Sequence, residues 1–141
     1  MEKLSIETQE SIKISLINAA IEEVGRIETN TEFYYGASAS ALLAGNGGIY
    51  TGKSLNITCG LGFCGEQAAI MKMLSDNETR IEMIVAVNDV VGVIAPCGKC
   101  REMMAQIDIE NMKTEVILPS GEIVALKELL PHAWQIETLD G

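Results

Sequence analysis

Basic side chains are scarce in this chain: 10 Lys and Arg stand against 20 Asp and Glu, a formal charge of −10. Polynucleotide binding draws its affinity from Lys and Arg on phosphates, so nucleic acid is excluded as a partner and a small neutral or cationic ligand fits better. Aromatic residues make up only 4% of the sequence, so its core must be mostly aliphatic. No apolar run approaches the ~20 residues a membrane span needs. Met1-Glu2-Lys3 runs into a mixed polar segment, without the pattern of a secretory signal. Histidine occurs once, as His132 in a Pro-His-Ala turn. A lone histidine of this kind is a surface or capping residue and is given no catalytic role. There is no G-x-x-x-x-G-K-[ST] pattern, and Gly45, Gly47 and Gly48 around Asn46 read as a hairpin turn, not a phosphate cradle. Internal repeats, low-complexity tracts and linkers are also missing. With 141 residues and 48% hydrophobic content, the expectation is one domain spanning 1–141.

What the chain does have is a pair of cysteine motifs. Cys64-Gly65-Glu66 is followed thirty residues later by Pro96-Cys97-Gly98-Lys99-Cys100. Cys64 opens the helical-looking stretch Glu66 to Leu74, and Cys97 opens a second from Gly98 to about Ile107. At a helix N-terminus the unpaired N–H groups and the positive dipole end favour a thiolate, the form that binds metal. Cys97 and Cys100, three apart, share one helix face. Three thiolates with an open fourth position describe a catalytic zinc, whereas a structural zinc is closed by four protein ligands. Glu66, on the first helical turn, can approach a water at the metal without coordinating it. Zinc lowers the pKa of bound water from near 16 toward about 7, and a carboxylate can accept the proton and pass it on. Displacing an amino group from an aminated heteroaromatic ring uses these parts, with Glu66 as proton shuttle and ammonia as the leaving group.

Bland readings exist for the same residues. Cys-x-x-Cys alone is a modest metal signal and also describes a redox pair or two buried thiols. Cys59 reads as a core or loop thiol; if it closed the metal shell, the zinc would be structural and Glu66 idle. Trp134, the sole tryptophan, is by default a core or interface anchor. Four cysteines, two of them in Cys-x-x-Cys, favour a reducing cytoplasm.

The sequence resembles the cytidine deaminase family through Gly47-Gly48-Ile49-Tyr50-Thr51-Gly52, Cys64-Gly65-Glu66-Gln67-Ala68-Ala69-Ile70, Ala95-Pro96-Cys97-Gly98-Lys99-Cys100-Arg101 and Lys127-Glu128-Leu129-Leu130-Pro131-His132-Ala133-Trp134. The last segment looks like the small tetrameric branch that includes the blasticidin S deaminases. The resemblance implies a three-layer α/β/α fold with a mixed sheet, and Zn2+ on Cys64, Cys97 and Cys100. It also implies hydrolytic deamination of a cytosine-containing nucleoside, and a homotetramer whose active sites are completed by neighbouring subunits. It puts substrate-binding roles on Gly65, on Ser54 and Asn56, where the family's ribose-binding Asn and Glu normally stand, and on Trp134 as a cover over a neighbour's base; the stacking position counts to Gly36, with Tyr35, or Tyr34 beside it, as the aromatic that serves after a small shift. Two departures bear on specificity and metal. Ser54 and Asn56 replace the ribose-binding pair, so the substrate stays open among cytidine, deoxycytidine, blasticidin-like nucleosides and other amino-pyrimidines, and a non-catalytic zinc protein of the same fold is a further alternative. Gln67 stands where the small enzymes usually have an arginine that offsets thiolate charge; it brings no charge, and Arg101 is the candidate to compensate.

The coarse pattern agrees with an α/β architecture. Ile14, Ile17, Ile21 and Val24 recur at helical spacing through residues 5–24, with Gly25 as a stop. Five strands read at about 37–44, 48–53, 81–88, 91–95 and 114–118, with the two cysteine helices between strands. Residues 81–87 are apolar on both faces and are expected to be central. The turn from Val124 to Pro131 leaves Leu129, Leu130 and Trp134 as candidates for an intersubunit contact.

Overall fold

The structure, a computed structural model, describes residues 5–140. Helix α1 (Ile6–Glu23) begins where Ser5 accepts a hydrogen bond from the Thr8 N–H at 3.2 Å, satisfying one of the free donors of the first turn. Strands β1 (Ile27–Glu28), β2 (Tyr34–Ala44) and β3 (Ile49–Asn56) precede α2 (Gly65–Ser75). Next come β4 (Ile81–Asn88), β5 (Gly92–Ile94) and α3 (Gly98–Ile107). A 3-10 turn over Ile109–Lys113 leads to β6 (Glu115–Ile117), β7 (Ile123–Ala125), α4 (Leu126–Leu129) and α5 (Trp134–Asp140). No helix among the described residues is long and apolar enough to cross a membrane.

The strands form one mixed sheet. The backbone order is β1-β2-β4-β6-β7, with β3 paired to β2 and β5 to β4. Only β4 and β6 run parallel, joined through α3. The five expected strands are all present, and two short ones, β1 and β7, extend the sheet to seven. Runs of two and three residues are too short for an alternating pattern to mark them. The β2–β3 hairpin turns at Asn46: its Oδ1 accepts the Gly48 N–H at 2.8 Å, and Gly47 takes φ +85°.

Two apolar layers sandwich the sheet, and the period-2 alternation of β2 and β4 sorts residues between them. Ala39, Ala41, Met83, Val85 and Val87 face α1, packing around Leu16 and Ala20. Leu42, Ala44 and Ile84 face the other side with Ala69, Ile70 and Met73 of α2 and Met104 of α3. Strand β4 is buried on both faces between β2 and β6, as its composition demands. The contact face of α1 differs from the apolar spacing. Leu16 and Ala20 are buried, with Ile12, Ile17, Ala19 and Val24 around them, while Ile14 and Ile21 are 55% and 52% exposed on the opposite side. The small side chains of Ala39 and Ala41 leave shallow ground on the sheet that Leu16 and Ala20 fill.

Three side chains hold the layers in register near the cysteine helices. Asn111 is fully buried and works as a junction: its Oδ1 accepts the Ile81 N–H at 2.8 Å, and its Nδ2 donates to Thr79 O at 2.9 Å and Met104 O at 3.0 Å. It thereby ties the start of β4 to α3. Thr114 donates to Ile81 O at 2.7 Å, and Arg80 donates to Asn111 and Thr114.

Candidate active site

Cys64 and Cys97 are the N-cap residues of α2 and α3, both with extended backbone (φ −81°, ψ 158° and φ −69°, ψ 165°). The segment entering Cys64 is pinned by a two-way backbone bridge between Leu55 and Phe63, at 2.9 and 3.0 Å, so the end of β3 delivers the chain to α2. The Gln67 Oε1 accepts the Cys64 N–H at 2.9 Å, completing the reciprocal half of the cap.

Two glycines set how deeply α2 sits. A side-chain carbon on Gly52 would lie 2.6 Å from Gly65 O and Ala68 Cβ, and nearer still to Ala69 N; one on Gly65 would lie 2.8 Å from Ala39 Cα and 2.9 Å from Gly52 O. The helix N-terminus therefore rests directly on the backbone of β2 and β3. That contact places Glu66 inside the protein, only 3% exposed.

The three cysteines of the two motifs converge. Cys64 Sγ is 3.4 Å from Cys97 Sγ, Cys97 Sγ is 3.3 Å from Cys100 Sγ, and all three lie within 4.8 Å of one another as free thiols. Cys59 is not among them. It is exposed in the turn before Phe63 with φ +61°, a loop thiol. Burial, followed by the neighbouring Cys97 thiol, pushes the Cys64 pKa up to about 11. Burial and the charge of Glu66 push Cys100 up as well. At Cys97 burial acts upward but is outweighed by hydrogen bonds from the Cys100 backbone and the adjacent thiols, and its pKa is lowered. Burial raises Glu66 above the ordinary carboxylate range, opposed in part by its own backbone N–H and by Cys100. Such a donor set suits a soft divalent cation: without positive charge Cys64 and Cys100 hold their protons more tightly than free thiols, and with it three thiolates can stand together.

Ser54 is 4% exposed at the same end of β3. Its Oγ accepts the Ser38 N–H at 3.1 Å and donates to Asn56 Oδ1 at 3.0 Å, so the hydroxyl is engaged within the protein and Asn56 presents its amide N–H groups. Tyr35 is half-buried and pairs with Leu55, beside the bridge that leads into Cys64. Trp134 is not a core residue: it is 57% exposed, and its Nε1 donates to Glu102 Oε1 at 3.1 Å. His132 is exposed and faces Glu137, Nδ1 to Oε1 3.1 Å. Arg101 turns away from the thiols: its guanidinium donates to Pro96 O and Leu129 O. Charge compensation by Arg101 at the sulfurs is therefore not what the structure has. The packing roles of Gly52, Gly65 and Asn111 went unread in the sequence, where a Gly two positions before Ser54 and a lone Asn carry no spacing signal.

The sequence matches no family model. It is 31% identical over 129 residues to a cytidine deaminase of Halalkalibacterium halodurans, covering 89% of this chain and 96% of the relative. It is 32% identical to a cytidine deaminase of Sporosarcina psychrophila over 71% of this chain and 76% of that one. The fold superimposes on the crystal structure of cytidine deaminase from Mycobacterium tuberculosis with a TM-score of 0.71 at 24% identity, covering 86% and 96% of the two chains. The Burkholderia pseudomallei cytidine deaminase gives 0.67 at 27% identity over 85% and 97%. With this likeness along nearly its whole length, the chain belongs to the cytidine deaminase family of aminohydrolase enzymes.

Proposed function

We propose that this protein is a zinc-dependent deaminase of a cytosine-containing nucleoside of the cytidine or deoxycytidine class. The observation that carries the reading is a buried carboxylate, Glu66, set beside three converging thiols at two helix N-termini, with the fourth cysteine kept out of the cluster. Cys64, Cys97 and Cys100 would hold the metal. A zinc ion held there supplies Lewis acidity, lowering the pKa of water from near 16 toward about 7.

The protein's own groups account for the rest. Burial raises Glu66, so its carboxyl can take a proton from water and keep it long enough to hand on. In the reaction the water oxygen adds to the ring carbon bearing the amine, the ring nitrogen gains a proton, the carbon–nitrogen bond breaks and ammonia leaves. Glu66 is the residue positioned to move both protons, first to the ring nitrogen and then to the departing amine. Gly65 is assigned to the base through its backbone; its missing side chain is what lets α2 rest on Ala39 and Gly52. The Ser54 hydroxyl orients Asn56, whose amide then offers hydrogen-bond donors to the sugar. Tyr35 is assigned to stacking, and Trp134, exposed in the isolated chain, to covering a base in a neighbouring subunit. A homotetramer acting on a small aminated pyrimidine in a reducing cytoplasm, as one domain, completes the reading. The net charge of −10 favours a second substrate class, cationic nucleosides of the blasticidin S type.

The test is ammonia release from cytidine, deoxycytidine, cytosine and blasticidin S, with zinc content measured alongside and Glu66→Gln as the control. Turnover on one substrate that falls by about 10²–10⁴-fold in the variant, with zinc retained, is expected. Zinc at one per chain without turnover on any of the four would sink the catalytic reading in favour of a binding or structural role.

A further inference from the structure

Arg101 sits one position past Cys100 on α3, yet its guanidinium reaches back along the helix and across to the C-terminal segment. Nε donates to Pro96 O at 2.8 Å and Nη1 donates to Leu129 O at 3.1 Å. Both carbonyls are ones that regular structure leaves open. Pro96 precedes the N-cap Cys97, so its carbonyl lies outside the α3 ladder, and Leu129 is the last residue of α4. Among the described residues neither carbonyl receives a backbone N–H, and one planar, charged fork serves both. Glu102, the next residue, accepts from Trp134 Nε1 and from Gln135 Nε2, and Gln135 is 6% exposed. Two consecutive residues of α3 thus grip the C-terminal segment, and one of them also grips the peptide that delivers Cys97.

We propose that Arg101 is a positioning residue: by holding the Pro96 carbonyl it fixes where Cys97 enters the site, and by holding Leu129 it makes metal retention depend on docking of the C-terminal segment. The proposal rests on Cys64, Cys97 and Cys100 being metal ligands. Its physical basis is that Cys97 is exposed and, beyond its contacts with the other two sulfurs and the Cys100 N–H, its Sγ is placed by the peptide that enters α3, whereas Cys100 is buried within α3. A rotation of the Pro96–Cys97 peptide moves the first sulfur and leaves the second where it is. The guanidinium opposes that rotation with a charge-assisted hydrogen bond.

The experiment uses the full chain loaded with zinc, and in parallel with cobalt(II), whose thiolate absorption bands report the ligand set. Zinc transfer to a chelating dye is timed for the wild type, Arg101→Gln, Arg101→Lys, Trp134→Phe and the Arg101→Gln/Trp134→Phe double variant, with circular dichroism confirming the fold. Arg101→Gln should release zinc about 10- to 100-fold faster and shift the cobalt bands. Arg101→Lys, able to keep one carbonyl at a time, should fall between; it also carries the measurement if the Gln variant does not fold. Trp134→Phe, which removes the bond to Glu102, should speed release in the wild-type background but add nothing to Arg101→Gln. Unchanged release and spectrum in a folded Arg101→Gln, or fully additive effects in the double variant, overturn the proposal. A wild-type chain that takes up neither zinc nor cobalt would instead remove the metal reading beneath it, and the proposal with it.

Discussion

Gly52→Ala should damage this protein far more than a one-carbon change suggests. The added methyl would sit 2.6 Å from Gly65 O and Ala68 Cβ and nearer still to Ala69 N, where ordinary contact begins at 3.4 Å, so something must yield by at least 3.4 − 2.6 = 0.8 Å. The obstacles include backbone of α2, which cannot step aside as a flexible side chain can. The helix N-terminus must therefore lift off β3, carrying Cys64 and Glu66 away from Cys97 and Cys100 on a different helix. Overpacking of this kind costs about 1–3 kcal/mol. A displacement near 1 Å in a reacting constellation costs on the order of 10²-fold in rate. Gly98→Ala is the matched control: nothing lies within 4 Å of the new methyl, and Ala in a helix is favoured over Gly by about 0.5–1 kcal/mol. Urea unfolding, zinc content and ammonia release should then separate the two, with Gly52→Ala less stable, poorer in zinc and slower, and Gly98→Ala equal to or more stable than the wild type. If Gly52→Ala keeps wild-type stability and full zinc, the claim that this glycine seats α2 is wrong.

Asn111→Ala should lower stability by about 1–3 kcal/mol for buried groups left unpaired, because Ile81 N–H, Thr79 O and Met104 O all lose their partner; an unchanged urea midpoint would contradict its role as a junction. In the metal-free protein Glu66 has a raised pKa, so the folded state binds more protons than the unfolded one. Its contribution to stability is complete below about pH 4.3 and is lost as pH climbs through the folded value. Metal-free Glu66→Gln should therefore gain on the wild type in urea midpoint as pH rises from 4 to 7.5, and a difference that does not change with pH would argue against burial as the cause. Among the three clustered thiols of the metal-free chain, Cys97, exposed and lowered, should alkylate with iodoacetamide before Cys64 and well before buried Cys100, as peptide mass mapping over time would show; the reverse order would refute the assignment.

Local chemistry was legible in the sequence because it acts over a few residues. The helix starts at Cys64 and Cys97, the hairpin at Asn46 and the two-sided burial of β4 each follow from neighbours in the chain, through capping, turn geometry and period-2 alternation. The spacing of Cys64, Glu66, Cys97 and Cys100 likewise marks the candidate site. Tertiary structure decided what depends on partners far along the chain. The sulfurs of Cys64 and Cys97, 33 residues apart, meet at 3.4 Å only because Gly52 and Gly65 let α2 touch the sheet while Asn111 locks α3 to β4. The buried face of α1 was chosen by the small residues of β2 opposite it, leaving Ile14 and Ile21 outside. Arg101 could be placed beside Cys100 from the sequence, but the direction of its side chain was set by two unpaired carbonyls, one of them 28 residues away. A side chain's identity is written in the chain; its partner is fixed only when packing brings distant backbone within hydrogen-bond reach.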